Sequence, residues 1–146
     1  MSKADPIILE EVYQAPVEKV WAAITESNQM KKWYFDTMDS FKPEAGSRTE
    51  FDVTHNGKTY PHQWKVLNVI PERKISYEWK YGGYPGSSVL TWELYSEKDG
   101  TRLKLTHSGI DTFPSDNPDF SRGSFMEGWD FFIRQRLKKY VERSDF

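Results

Sequence analysis

The chemistry-bearing residues of this 146-residue chain are three histidines and one arginine set among aromatic side chains; there is no cysteine. His107 alternates with Leu103 and Leu105, so a strand there turns all three to one face. Its imidazole is either a polar anchor or acid–base group in a pocket, or a core histidine hydrogen-bonded to a neighbour. Arg136 falls near the middle of an apolar helical stripe, flanked by Trp129, Phe132, Ile133 and Tyr140. A buried guanidinium without a partner is costly, so it must meet a carboxylate, reach the rim or bind an anionic ligand. Glu50 is the carboxylate if its strand turns that parity inward. Acid–base catalysis would need His107 within reach of Arg136 or a pocket tyrosine. His55 and His62 flank a hairpin without a nearby carboxylate pattern, so no metal is expected. With no Ser-His-Asp spacing, no phosphate-binding glycine loop and no G-x-S-x-G, no residue is assigned as catalytic, and a protein that is not an enzyme is the first reading.

Phe, Trp and Tyr make up 16% of the chain, more than packing around one helix requires. Flat side chains also line small-molecule pockets. Trp64, Tyr77, Trp79, Tyr81 and Trp92 from strands, with Phe125, Trp129, Phe132 and Ile133 from a helix, are the candidate ligand-binding set beside His107 and Arg136. The plainer reading of Trp64, Tyr77, Trp79, Tyr81, Trp92 and Trp129 is core rather than cavity wall.

These residues need elements to hold them. The last stretch, Gly123 to Arg143, is a long amphipathic helix on the 3.6-residue period. Phe125, Met126, Trp129, Phe132, Ile133, Leu137 and Tyr140 share one face. Ser124 with Glu127 forms a capping box that starts it. Phe131 falls on its polar back, an exposed aromatic on which a homodimer contact could be built. Upstream, Ile7 to Tyr13 reads as a strand. Pro16 opens a short helix carrying Val17, Val20, Trp21 and Ile24, and a second short helix runs from Ser27 or Asn28 through Met30, Trp33 and Tyr34. Five strands follow as an antiparallel meander: Arg48 to Thr54, Thr59 to Ile70, Lys74 to Tyr81, Ser88 to Ser96 and Thr101 to Gly109. Asn56-Gly57 makes the first hairpin turn, and Pro61 implies an edge position or a bulge. Ile110 to Arg122 reads as a surface loop. An α+β fold results, one sheet covered by the only helix long enough to cover it.

Twenty basic and twenty-two acidic residues, a net charge of −2 and no block of like charge give no footprint for nucleic acid. No run approaches a membrane span or a signal peptide, so a cytoplasmic protein organised as one domain over 1–146 is expected. No cofactor is implied.

Ala15-Pro16-Val17-Glu18-Lys19-Val20-Trp21, Lys32-Trp33-Tyr34, Val69-Ile70-Pro71, Leu90-Thr91-Trp92-Glu93-Leu94, Gly100-Thr101-Arg102-Leu103 through Thr106-His107-Ser108-Gly109, and Gly128-Trp129 together resemble the homologues of the heat-shock-protein-90 ATPase activator, a family of the START-like, helix-grip superfamily. The resemblance implies a curved six-stranded antiparallel sheet wrapped around the long C-terminal helix, with two short helices between strands 1 and 2 closing a cavity. It implies a carrier or sensor of a small hydrophobic or amphiphilic molecule, the superfamily's ligands including lipids, sterols, hormones and polyketides. The alternatives are a cyclase-, aromatase- or hydrolase-like enzyme using the same cavity, or a co-chaperone-like interaction module. The eponymous co-chaperones carry a separate chaperone-binding domain for which 146 residues leave no room, so a chaperone partner is not the leading expectation.

Overall fold

A computed structural model describes residues 5–38 and 40–142. Six strands form one antiparallel sheet in the order β1-β6-β5-β4-β3-β2. They are β1 Ile7–Tyr13, β2 Arg48–His55, β3 Lys58–Ile70, β4 Lys74–Tyr81, β5 Ser88–Glu97 and β6 Gly100–Ser108. Helices α1 (Val17–Thr25) and α2 (Ser27–Trp33) separate β1 from β2. They meet at Glu26, an extended residue that caps α2 without a side-chain hydrogen bond, so neither Ser27 nor Asn28 is the cap.

Period-two patterning sets the sheet's faces, because a one-residue slip would turn every apolar side chain to water. One buried row runs Val66, Tyr77, Leu90, His107, Ile7 across five strands. Another runs Phe51, His62, Tyr81 at the β2 edge. Asn56 and Gly57 both have positive φ, as a type I′ hairpin demands. Pro61 is neither at an edge strand nor in a bulge. Its carbonyl accepts from Gly82 N–H just past the end of β4, so its missing N–H faces a turn where no strand claims it. The bulge lies instead between Val66 and Asn68 and leaves Leu67 exposed.

The C-terminal helix lies against this sheet, and its interior departs from the 3.6-residue wheel. Arg122–Trp129 is α3, Asp130–Leu137 is wound as a π-helix with i→i+5 bonding, and Lys138–Val141 (α4) returns to α. The buried residues Phe125, Trp129, Ile133, Leu137 and Val141 recur every fourth position, with Tyr140 buried beside the last of them. On an ideal α-helix a four-residue step drifts by about 40°, which over four steps would carry the stripe off the sheet. The wider π turns cancel part of that drift. They also rotate Arg136 outward to the surface, while Met126, in α3 ahead of the π turns, sits one position off the Phe125–Trp129 stripe and is exposed too. The helix start is held by Ser121, whose hydroxyl accepts from Ser124 N–H, and not by a Ser124–Glu127 box.

Tyr13 anchors the π stretch. Its hydroxyl, on a fully buried ring, donates to the Ile133 carbonyl at 2.6 Å. The end of the helix is tied to the same strand, Lys138 Nζ donating to Val12 O and Gln14 N–H to Glu142. Tyr13→Phe keeps the ring and removes only the hydroxyl. It is expected to lower the unfolding free energy by about 1–2 kcal/mol in urea titration, and an unchanged midpoint would count against this anchor.

Candidate functional site

The space between sheet and helix is mostly filled. Trp33, Tyr34 and Phe35, at and just beyond the end of α2, insert into it: the Trp33 and Tyr34 rings stack at 4.6 Å, and Tyr34 also packs on Trp64, Trp92, Trp129 and Phe132. Trp33 Nε1 donates to Ala23 O, fixing α2 on α1. Beneath the plug, Trp92 Nε1 donates to the Tyr77 hydroxyl, which also lies 3.4 Å from the Tyr34 hydroxyl. Burial drives the Tyr34 and Tyr77 hydroxyls well above their ordinary pKa. Trp64, Tyr77 and Trp92 are therefore core beneath this plug.

What remains open is a cavity of about 260 Å³ at the β2–β3–β4 end of the sheet. The sheet contributes Val53, His55, Tyr60, His62, Trp79 and Tyr81. Ser124, Phe125, Gly128, Trp129, Phe131 and Phe132 come from the helix, Phe35 from beyond α2, and Asp119 and Phe120 from the connection before α3. Of the candidate ligand set, Trp79, Tyr81, Phe125, Trp129 and Phe132 line this space. His107, Ile133 and Arg136 do not.

His107 is fully buried with both ring nitrogens occupied. The indole of Trp129 can only donate, so the 3.1 Å contact makes His107 Nδ1 the acceptor. Nε2 then carries the proton and donates to Ser88 Oγ at 2.8 Å, and Ser88 donates on to Trp79 O. Each link of this chain has one direction. Desolvation pushes the imidazole pKa down to about 3, and the ring is neutral. This is the core reading of His107, with neither nitrogen free for substrate.

Arg136 is not the buried anomaly of the helical wheel. The π turns place it on the surface, where Nη2 donates to Lys32 O at the end of α2 and the guanidinium lies 5.8 Å from the Phe131 ring centre. Glu50 is not its partner, since that carboxylate is exposed on the outer face and accepts from Gln63. The same turns bring Phe131 to the cavity mouth, 44% exposed, instead of the polar back of the helix.

Two histidines line the cavity, His55 exposed at its mouth and His62 buried in its wall. The Nδ1 of His62 lies 2.9 Å from Tyr60 O, which only accepts, so the neutral ring carries its proton on Nδ1. Burial lowers its pKa to about 4, the bond to Tyr60 opposing that in part. The signal was present in strand parity, because His62 alternates with Tyr60, Trp64 and Val66.

At the mouth, the connection expected to be a surface loop is a packed cap. Ile110, Phe113 and Phe120 are buried, Phe120 against Tyr60, Tyr81 and Tyr84. Asp119 fastens it to the β2–β3 hairpin. It accepts from the Tyr60 hydroxyl at 2.5 Å and from Asn56 Nδ2 at 2.8 Å, with His55 Nε2 3.6 Å away. The Tyr60 hydrogen bond, then Asn56 and His55, hold its carboxyl below the ordinary range against the effect of burial. Burial and the bond to Asp119 raise the Tyr60 hydroxyl. Sequence reading missed this clasp, whose partners lie about sixty residues apart.

No group of His, Asp or Glu among the described residues is arranged to hold a metal, and no described helix is long and apolar enough to cross a membrane.

A six-stranded antiparallel sheet gripping a long C-terminal helix, with a cavity between them, defines the START-like, helix-grip class. Within it, residues 14–142 match the family described as activator of Hsp90 ATPase homolog 1-like protein, and the chain belongs to that family. Solved structures agree. A Mesorhizobium loti protein, 27% identical, superposes with a TM-score of 0.76 over 97% of this chain and 99% of its own. A Chromobacterium violaceum protein at 20% identity gives 0.80 over 96% and 99%. A Bacillus halodurans protein at 25% identity gives 0.74 over 97% and 100%. No curated protein sequence matches the chain.

Proposed function

We propose that the chain is a carrier or sensor that binds a small, flat hydrophobic molecule in the cavity beneath Phe131 and Asp119. The observation that carries this reading is an open space of about 260 Å³ between sheet and helix whose walls are mostly aromatic. Burying on the order of 300 Å² of apolar ligand at ~25 cal/mol/Å² yields about 7 kcal/mol before ordering costs, enough for micromolar binding without further chemistry. The volume lies just below the usual ~300–1,000 Å³ of ligand pockets, which suits two fused rings better than a sterol or a diacyl lipid. Cytoplasmic residence and a single domain belong to the same reading.

An acid–base enzyme built on His107 and Arg136 has no support in this geometry, since one is sealed in the core and the other is on the surface. Native mass spectrometry of freshly purified protein, followed by calorimetric titration with aromatic and lipid panels, tests the proposal. A retained small molecule or a micromolar aromatic binder is the expected result; no adduct and no binder in either panel would overturn it.

A further inference from the structure

We propose that the cavity selects an uncharged aromatic molecule bearing a hydroxyl or N–H group, which it donates to Nε2 of His62; this rests on the cavity being a ligand site. The acceptor follows from the tautomer. Nδ1 must hold the proton to meet the Tyr60 carbonyl at 2.9 Å, which leaves a lone pair on Nε2. No hydrogen bond to Nε2 is found among the described residues, in contrast to His107, whose two nitrogens are both paired. The ring cannot turn to hide that edge. It is stacked on Phe51 at 5.2 Å and packed edge-on against Tyr81 at 4.9 Å and Trp79 at 5.3 Å. An unpaired acceptor on a residue that lines a cavity is the kind of group that a ligand donor satisfies; the buried atoms without a partner among the described residues are the Trp64 and Trp79 indole N–H groups.

Charge narrows the class further. The wall contains no lysine or arginine, and its one carboxylate is Asp119. An anionic head group would lose its hydration here without a counter-charge and beside a like charge. Nine of the fifteen lining residues are Phe, Tyr or Trp and Val53 is the one aliphatic side chain. A planar ring stacks on such walls better than a flexible chain, which must be ordered on entry. A fatty acid is thus the wrong ligand on both charge and shape.

Three probes of similar size separate these contributions by isothermal titration calorimetry: naphthol, methylnaphthalene and naphthoate. Naphthol is expected to bind about fivefold to tenfold tighter than methylnaphthalene, the worth of one neutral hydrogen bond, and naphthoate weakest of the three. His62→Leu is expected to abolish the naphthol advantage over methylnaphthalene, with an unchanged near-ultraviolet circular dichroism spectrum reporting that the variant is folded. His62→Gln keeps an acceptor and should retain the preference. Equal binding of naphthol and methylnaphthalene, an advantage that survives His62→Leu, or naphthoate binding as well as naphthol, overturns this inference while leaving the cavity reading intact. Failure of all three probes to bind overturns both.

Discussion

Replacing His107 by alanine is expected to lower the unfolding free energy by about 4 kcal/mol, read as a shift of the urea midpoint at unchanged slope. Two losses combine. The substitution leaves a void in a row that also holds Leu90 and Ile7, and it orphans the Trp129 indole N–H and one side of Ser88, which both hydrogen-bond to the ring. Cavity formation in a packed core and a buried polar group without a partner each cost one to a few kcal/mol, hence the estimate of about 4. Trp129 also lines the cavity, so probe affinity should fall modestly through loosened packing. A catalytic or ligand-contacting His107 would show the opposite pattern, near-wild-type stability with a large loss of binding or turnover. A midpoint that hardly moves would refute the structural role assigned to this histidine.

Acidification from pH 7 to pH 5 is expected to cost about 3–4 kcal/mol of stability through two histidines alone. In the unfolded chain each titrates near the ordinary value of about 6.5. In the fold, His107 is held down to about 3 and His62 to about 4, both chiefly by burial. Below pH 6.5 the unfolded state therefore binds more protons than the native state, so stability falls as pH falls until the folded values are reached. Each such proton is worth about 1.4 kcal/mol per pH unit, and most of the drop lies between pH 6.5 and 5. Asp119 does not mask it: its carboxyl is held below the ordinary carboxylate range, so its stabilising effect persists through this window and is lost only at lower pH. Urea unfolding at pH 7, 6 and 5 measures the slope, and His62→Leu should remove about half of it. A flat profile would mean that the two rings are already protonated or hydrated in the native state.

The resemblance to helix-grip proteins and the element order came through the sequence because they rest on short-range periodicities. The strand assignments in the meander hold to within a residue or two because side chains alternate with period two and the Asn56-Gly57 turn sets the first register. The helix was legible as an element but not in its phase. A wheel of fixed period put Arg136 inside and Phe131 outside; the real winding widens over Asp130–Leu137 and moves both. The four-residue repeat from Phe125 to Val141 was the available sign of that widening.

The cavity was harder to read for a different reason. Trp64, Tyr77 and Trp92 belong to the same inward face as Trp79 and Tyr81, and composition cannot say which of them a plug from α2 will cover. Nor could it say which histidine the plug leaves uncovered.

By itself, then, the sequence determined the strands, the faces they bury and the helix they need, since each follows from neighbours a few residues apart along one chain segment. Tertiary structure alone decided that His107 is sealed by Trp129 and Ser88, that Arg136 turns to Lys32, and that His62 and the Asp119 clasp meet at the cavity. Those outcomes depend on hydrogen bonds between segments far apart in the chain, and on helical winding set by the sheet the helix packs against.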